Sequence, residues 1–225
     1  MKTTPESLPP QSQATRGPAA DGAASVGAQT APEISVIIPI FNEEANISAL
    51  CQRLSESLGA LGKTWEVVFV NDGSTDGSGE LLDKAVDENE RFTVVHFRRN
   101  FGQTAAISAG IRFARGEIMV PMDGDLQNDP RDIRRLLAKM DEGYEVVSGW
   151  RKNRKDPLAK RIPSRLANAV ISAVTGVRLH DYGCSLKAYR REVVKDVFLY
   201  GEMHRFVPVY AAMRGAHVAE IVVEH

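Results

Sequence analysis

Two short β-branched runs each lead straight into an acidic turn, and this repeated arrangement restricts the chain more than any other feature. Val67-Val68-Phe69-Val70 runs into Asn71-Asp72-Gly73-Ser74-Thr75-Asp76, and Ile118-Met119-Val120 runs into the stretch holding Asp123-Gly124-Asp125-Leu126-Gln127. Apolar runs of this length bounded by turn residues read as buried strands, and open α/β sheets bind ligands at the carboxyl ends of their strands. Both carboxylate clusters are therefore expected on one rim of one sheet.

From Ile34 onward strand and helix signals alternate. Residues 34–40 suit a buried parallel strand that should stop at Pro39, whose missing N–H breaks a ladder. Ile47, Leu50, Leu54, Leu58 and Leu61 mark one face of a helix, with Asn46 as a candidate N-cap and Gly62 as a stop. Strands at 65–70, 92–97, 117–122 and 145–150 then alternate with helices at 81–86, 103–114 and 130–140, the last opened by a proline in its first turn. Five βα repeats predict a doubly wound α/β fold, a mostly parallel open sheet flanked by helices. After Trp150 the pattern loosens into a basic segment, a helix from about 163 to 175, and mixed elements.

Composition bounds what surrounds this array. The 225 residues are 43% hydrophobic, enough to bury a core; the net charge of −1 argues neither for nor against nucleic acid, and no such partner is expected. Residues 1–32 hold five of the 11 prolines amid Ala, Gly, Ser and Gln, which predicts a disordered arm ahead of a catalytic domain at 33–225. The arm lacks the apolar segment of a secretory signal, and no stretch is long and apolar enough to span a bilayer, so a soluble cytoplasmic piece is expected. Cys51 falls among Ile47, Leu50 and Leu54, where a thiol acts as a small apolar side chain; Cys184 sits in a more polar stretch. No His/Cys cluster has zinc spacing, and no Ser/His/Asp elbow is present.

The two turns suggest different chemistry. A carboxylate at a strand end can accept hydrogen bonds from a base N–H or a ribose hydroxyl, a role assigned to Asp72, with Gly73 allowing the backbone near a flat base. A diphosphate repels bare carboxylates, so Asp123 and Asp125 facing one would require a hard cation between, Mg²⁺ or Mn²⁺. Taken singly, either turn also reads as an Asx turn with solvated acids. G-x-x-x-x-G-K-[ST] and a strand-following G-x-G-x-x-G are both absent, which removes the main support for ATPase and dinucleotide-dependent dehydrogenase readings.

Val36-Ile37-Ile38-Pro39-Ile40-Phe41-Asn42-Glu43-Glu44, the two acidic turns and Arg99-Asn100-Phe101-Gly102-Gln103 together resemble, in order and spacing, the inverting family 2 glycosyltransferases of GT-A fold. Asp181-Tyr182-Gly183-Cys184-Ser185-Leu186-Lys187 and His204-Arg205-Phe206-Val207-Pro208 narrow the resemblance to the polyprenyl-phosphate glycosyltransferases. That likeness covers the chain from about Ile34 to its end. It implies transfer of a sugar from a nucleotide sugar to a polyprenyl phosphate, with UDP favoured over GDP and glucose as first choice. It further implies that Pro39, Asn42, Glu43 or Glu44, and Gly102 line the donor side, that Asp72 meets the base, and that Asp123 and Asp125 hold the metal with Gln127 beside them. Glu44 has an alternative role at the next helix's N-terminus, and Asn128 as a cap for the helix opened by Pro130.

The acceptor phosphate is already an anion at neutral pH, so the chemistry calls for cations rather than a strong base. Arg151, Lys160 and Arg161 after the fifth strand, and Arg205 later, are the candidates, and Asp125 could alternatively orient the phosphate. Residues 151–165 carry seven positive charges against one negative, followed by an apolar stripe of period four, which suggests contact with an anionic membrane on the cytoplasmic face of the plasma membrane. The stripe also fits core packing. For His204-Arg205 the choice is between phosphate-binding cations and a helix-start salt bridge. His180, Asp181, Tyr182 and Lys187 around Cys184 fit either acceptor contact or a satisfied turn. In the resembling proteins membrane helices follow the place where this chain stops, so an excised catalytic domain is expected, with self-association left open. A processive synthase, a non-catalytic sugar-nucleotide sensor and a nucleotidyltransferase are the competing readings; the first lacks a Gln-x-x-Arg-Trp motif here.

Overall fold

The computed structural model describes residues 31–152, 172 and 175–224. Within them seven strands form one sheet in the order β3-β2-β1-β4-β6-β5-β7. They are β1 (Ile34–Ile40), β2 (Trp65–Asn71), β3 (Phe92–His96), β4 (Ile118–Pro121), β5 (Val146–Trp150), β6 (Lys187–Arg190) and β7 (Val218–Val222). The helices are α1 (Glu44–Gly59), α2 (Ser78–Glu88), α3 (Gln103–Phe113), α4 (Ile133–Met140), and the short α5 (Arg191–Val194) and α6 (Val207–Met213).

β1 shows why the sheet is buried on both faces. Ile34, Val36, Ile38 and Ile40 face the core built with α1, α2 and α4, while Ile37 faces the second core under α3. A continuous apolar run is what such a strand requires. α1 contributes Ile47, Leu50, Leu54 and Leu58, each essentially buried and each giving about 1.5–3 kcal/mol. At the end of the sheet away from the strands' carboxyl termini, buried Glu66 ties the chain together. It accepts from Ser35 Oγ at 2.6 Å and from Arg115 Nε at 2.8 Å.

Three expectations need correction. The fifth strand does not extend the parallel array beside β4: β6 lies between them, antiparallel to both. Pro39 does not end β1, which pairs through Ile40↔Asn71. The carbonyl of Ile37 accepts from Met122 on the β4 side, so the alternation of the backbone turns Pro39 toward the same side, where pairing with β4 has ended at Ile37↔Pro121 and no donor is required. Asn46 is not the cap of α1; the helix starts at Glu44, and Asn46 Nδ2 donates back to Glu43. The helix itself ends at Gly59 with Ala60 as its C-cap, and Gly62, at φ +69°, follows in the turn toward β2. No helix among the described residues is long and apolar enough to cross a membrane.

Candidate active site

β1 sits between β2 and β4, and the order of connection across the sheet reverses between β1 and β4. A crevice is expected at that switch point, beyond the carboxyl ends of the strands. An open cleft of about 370 Å³ lies there. Pro39 lines it from β1 and Phe41 and Glu43 from just beyond, Asp72 from the turn after β2, Asn100, Gly102 and Gln103 from the entry to α3, and Asp123, Gly124 and Asp125 from the turn after β4. The two acidic turns thus flank one strand, on the order of 10 Å apart, a gap a nucleoside diphosphate can bridge.

The first turn carries more structure than its sequence suggests. Asp72 is 3% exposed and accepts from the backbone N–H of Phe101 at 2.7 Å and of Gly102 at 2.8 Å. Its carboxylate therefore anchors the loop entering α3, and only its remaining lone pairs face the cleft. Gly73 serves that same loop crossing rather than a base: at φ +68°, a Cβ there would lie 2.3 Å from the Arg99 carbonyl carbon. Gly73→Ala is expected to destabilise the fold by about 2 kcal/mol or more, because backbone must move and the alanine would be strained. An unchanged urea midpoint would contradict this contact.

Asn42, at φ +55°, turns its side chain away from the cleft and accepts from Thr75 N–H at 2.8 Å. Glu44 stands in the first turn of α1, the helix-terminus alternative, while its carboxylate also accepts from Gly77 N–H at the start of α2 at 3.0 Å, and it is absent from the cleft lining. Both residues brace the loop after β1 against the loop after β2, as do the bonds from Asn42 N–H to Ser74 and from Glu43 N–H to Ser78. Of this group only Pro39 and Glu43 reach the cleft.

The second turn brings Asp123 and Asp125, the expected cation ligands, to the cleft. Gly124 packs close on β1, where a Cβ would sit 2.5 Å from Ile40 Cδ1, so between Asp123 and Asp125 the chain passes tight against the strand. Burial pushes the Asp123 carboxyl up from its ordinary range and the nearby Asp125 charge adds to this, against Ser185, Arg151 and Lys187. Gln103 Nε2 donates to Asp123 Oδ1 at 2.6 Å, and Gln127 Nε2 donates to Asp125 Oδ2 at 2.7 Å. A desolvated carboxylate beside a second one fits a hard divalent cation. Among the described residues no group of three or more His, Cys, Asp or Glu side chains converges on a metal point. Two carboxylates with the rest supplied by phosphate oxygens and water is the usual Mg²⁺ arrangement. Asn128 does not cap the helix at Pro130, since Asp129 accepts from Arg131 N–H there; Asn128 is buried and donates to Ser185.

The basic side differs from expectation. Arg151 follows β5, but its side chain is only 12% exposed and its guanidinium is held by Asp181, Nε to Oδ2 at 2.8 Å and Nη2 to Oδ1 at 3.1 Å. Lys160, Arg161 and the apolar stripe lie outside the described residues. Arg205 is exposed and pairs with Glu202 at 3.0 Å, the salt-bridge alternative. His204 is not a cation: burial, reinforced by Lys187, lowers its pKa to about 4. Thr104 Oγ1 donates its single proton to the Gly201 carbonyl and so accepts from His204 Nδ1–H at 2.6 Å. Because the unfolded chain protonates His204 near pH 6.5 and the fold resists it down to about 4, this stability is full above pH 6.5 and erodes as pH falls through that window. His204→Gln should lose less melting temperature than the parent between pH 7.5 and 5; equal losses would contradict the buried neutral imidazole.

Around Cys184 the satisfied turn is what forms. Tyr182 Oη donates to Val177 O at 2.6 Å, Lys187 is wholly buried with its ammonium on the Tyr182 and Cys184 carbonyls, and His180 binds Glu220. Burial raises both thiols to about 11, so neither Cys51 nor Cys184 is a reactive thiolate. Gln103, Asn100 and Ser185 were not singled out by the sequence. The Arg99–Gln103 stretch carried the only signal for the first two.

The chain belongs to glycosyl transferase family 2, whose family model matches residues 35–198. It is 46% identical over 198 residues to a dodecaprenyl-phosphate galacturonate synthase of Rhizobium johnstonii, covering 86% of this chain and 59% of the relative. It is 43% identical over 193 residues to an undecaprenyl-phosphate 4-deoxy-4-formamido-L-arabinose transferase of Pseudomonas paraeruginosa, covering 85% and 57%. The chain thus spans somewhat under two thirds of these relatives. Glucosyl-3-phosphoglycerate synthase from Mycobacterium tuberculosis, solved with Mn²⁺ and UDP-glucose, superposes with TM-score 0.66 at 19% identity over 86% of this chain and 71% of that one. A mannosyltransferase from Pyrobaculum calidifontis with GDP-mannose and Mn²⁺ gives 0.58 at 21%, over 86% and 56%. These likenesses establish the GT-A fold.

Proposed function

We propose that this domain transfers a sugar from a UDP-sugar to a polyprenyl phosphate by a single inverting displacement. The observation that carries it is the pair Asp123 and Asp125 facing the Asp72 and Gly102 side of one cleft. Glucose loses its place as first candidate, because the relatives are named for galacturonate and formamido-arabinose. A divalent ion held by Asp123 and Asp125 would offset charge on the leaving diphosphate. Asp72 and the α3 entry position the nucleoside end, and Gly124 lets the turn after β4 sit close against β1. The acceptor phosphate attacks as an anion, so no residue has to remove a proton. Arg151, buried and paired, contributes less free positive charge than its position suggests, leaving Lys160, Arg161 and the rest of the basic run as the proposed phosphate and membrane contacts.

A thermal-shift panel of UDP-galacturonate, UDP-4-deoxy-4-formamido-L-arabinose, UDP-glucose and GDP-mannose with Mn²⁺ tests the donor. A ligand at about 100 times its Kd stabilises by about 2.7 kcal/mol, roughly 5–10 °C for a chain of this size. A shift with the uridine sugars and none with GDP-mannose is expected. The reverse pattern would favour a GDP-sugar donor.

A further inference from the structure

Asn71, the residue before Asp72, ends β2 on the face that Val67 and Phe69 turn toward α1 and α2. It is buried, and its amide is the middle of a hydrogen-bonded chain running from exposed Asp83 on α2 to the loop after β1. Asp83 Oδ1 lies 3.0 Å from His96 Nε2, and His96 Nδ1 lies 3.0 Å from Asn71 Nδ2. Asn71 Oδ1 accepts from Ser74 N–H at 3.0 Å, and Ser74 Oγ accepts from Asn42 N–H at 3.0 Å. Ser74 fixes the direction of the chain. A backbone N–H only donates, so the Asn71 oxygen faces Ser74 and the amide NH₂ faces His96. His96 Nδ1 must then offer its lone pair, and the imidazole proton sits on Nε2, toward a carboxylate that accepts it. Resting on the donor-cleft reading above, we propose that His96 is a positioning residue for the nucleotide sugar: its bare Nδ1, kept so by Asp83, holds the Asn71 amide in the one orientation that closes the turn behind Asp72.

Three observations set this chain apart from an ordinary surface ion pair. Asn71 and His96 are register partners of the parallel strands β2 and β3, so their side chains leave the sheet on one face and meet without any loop having to order. α2 passes close over both: a Cβ at Gly79 would lie 3.2 Å from Asn71 Nδ2 and 3.9 Å from His96 Cε1. Asp83 comes from that same helix, one turn further along. The far end of the chain is the cleft itself. Ser74 holds Asn42, which sits at φ +55° between Phe41 and Glu43, and both of these line the cleft. Were the imidazole proton on Nδ1, two N–H groups would face each other. The Asn71 amide would turn, and Ser74 N–H would lose its acceptor. The turn behind Asp72 would then hold its binding shape for only part of the time, and the apparent donor affinity falls by that fraction.

The test uses the whole 225-residue chain. A long-range ¹H–¹⁵N NMR spectrum of the imidazoles at mildly alkaline pH, with His96 assigned by its loss in His96→Asn, should show the His96 proton on Nε2. Calorimetry with UDP and Mn²⁺ then compares the parent with His96→Gln, His96→Asn and Asp83→Ala. An asparagine places its oxygen where Nδ1 stood and can still accept from Asn71. A glutamine reaches the Nε2 position toward Asp83 and leaves Asn71 without that acceptor. His96→Gln should weaken UDP binding about 5- to 10-fold, while His96→Asn should bind as the parent does. Asp83→Ala, which frees the imidazole to take either tautomer, should show a smaller loss in the same direction, and it decides the matter should His96→Gln not fold. A role in packing alone would be felt alike by both His96 variants. Equal UDP affinity in the two, or the proton found on Nδ1, overturns the proposal and leaves the donor site standing. A parent that binds no UDP overturns the donor reading and this inference with it.

Discussion

Replacing Asp123 and Asp125 together by asparagine should reduce Mn²⁺-dependent UDP binding by more than about 100-fold, since even outer-shell changes reach that range. Stability should hold or rise slightly. Asp123 is desolvated beside a like charge, so its carboxyl is pushed up in the fold. A raised carboxyl pKa means the native state holds its proton more tightly than the unfolded chain. The associated stability is present at low pH and lost as pH rises through the folded value. At neutral pH the asparagines remove a cost rather than a contact. Calorimetry with and without Mn²⁺ checks the first part and thermal melts the second. Unchanged calorimetric affinity would take the pair out of the metal site.

The second large effect is expected at Asp72, and the structure changes its meaning. Asp72→Ala removes two charge-assisted bonds to the Phe101 and Gly102 N–H groups and leaves those donors at the edge of the cleft. A loss of about 3 kcal/mol is expected, together with weaker UDP binding that persists without metal because the α3 entry loosens. Asp72→Asn should fall between, since its amide keeps one acceptor oxygen. A melt equal to the parent's alongside weakened UDP binding would return Asp72 to a pure base-reading role.

What the sequence revealed and what it hid follow from distance along the chain. Strand ends and acidic turns are local patterns, so the β2 and β4 turns and the switch-point cleft between them were legible in Val67–Val70 and Ile118–Val120. The antiparallel insertion of β6 was not, because four residues of mixed character, Lys187–Arg190, carry no direction. Pairings between loops were equally hidden. Nothing in Asn42 announces Thr75 as its partner, nor in Asn128 the hydroxyl of Ser185, 57 residues away. Arg151 shows the same limit: its charge is visible in sequence, while its neutralising partner Asp181 lies 30 residues on. The charge count along the basic run therefore includes one cation, Arg151, that is already paired.

Incubating the chain with UDP-galacturonate or UDP-4-deoxy-4-formamido-L-arabinose, a short-chain polyprenyl phosphate and Mn²⁺, and reading the anomeric configuration of any lipid-linked sugar by NMR, tests the central claim most directly. The account predicts a sugar joined to the lipid phosphate with inverted configuration, formed with Mn²⁺ and abolished by chelation or by the Asp123→Asn/Asp125→Asn double substitution. A product of retained configuration, or transfer that survives both chelation and the double substitution, would contradict it.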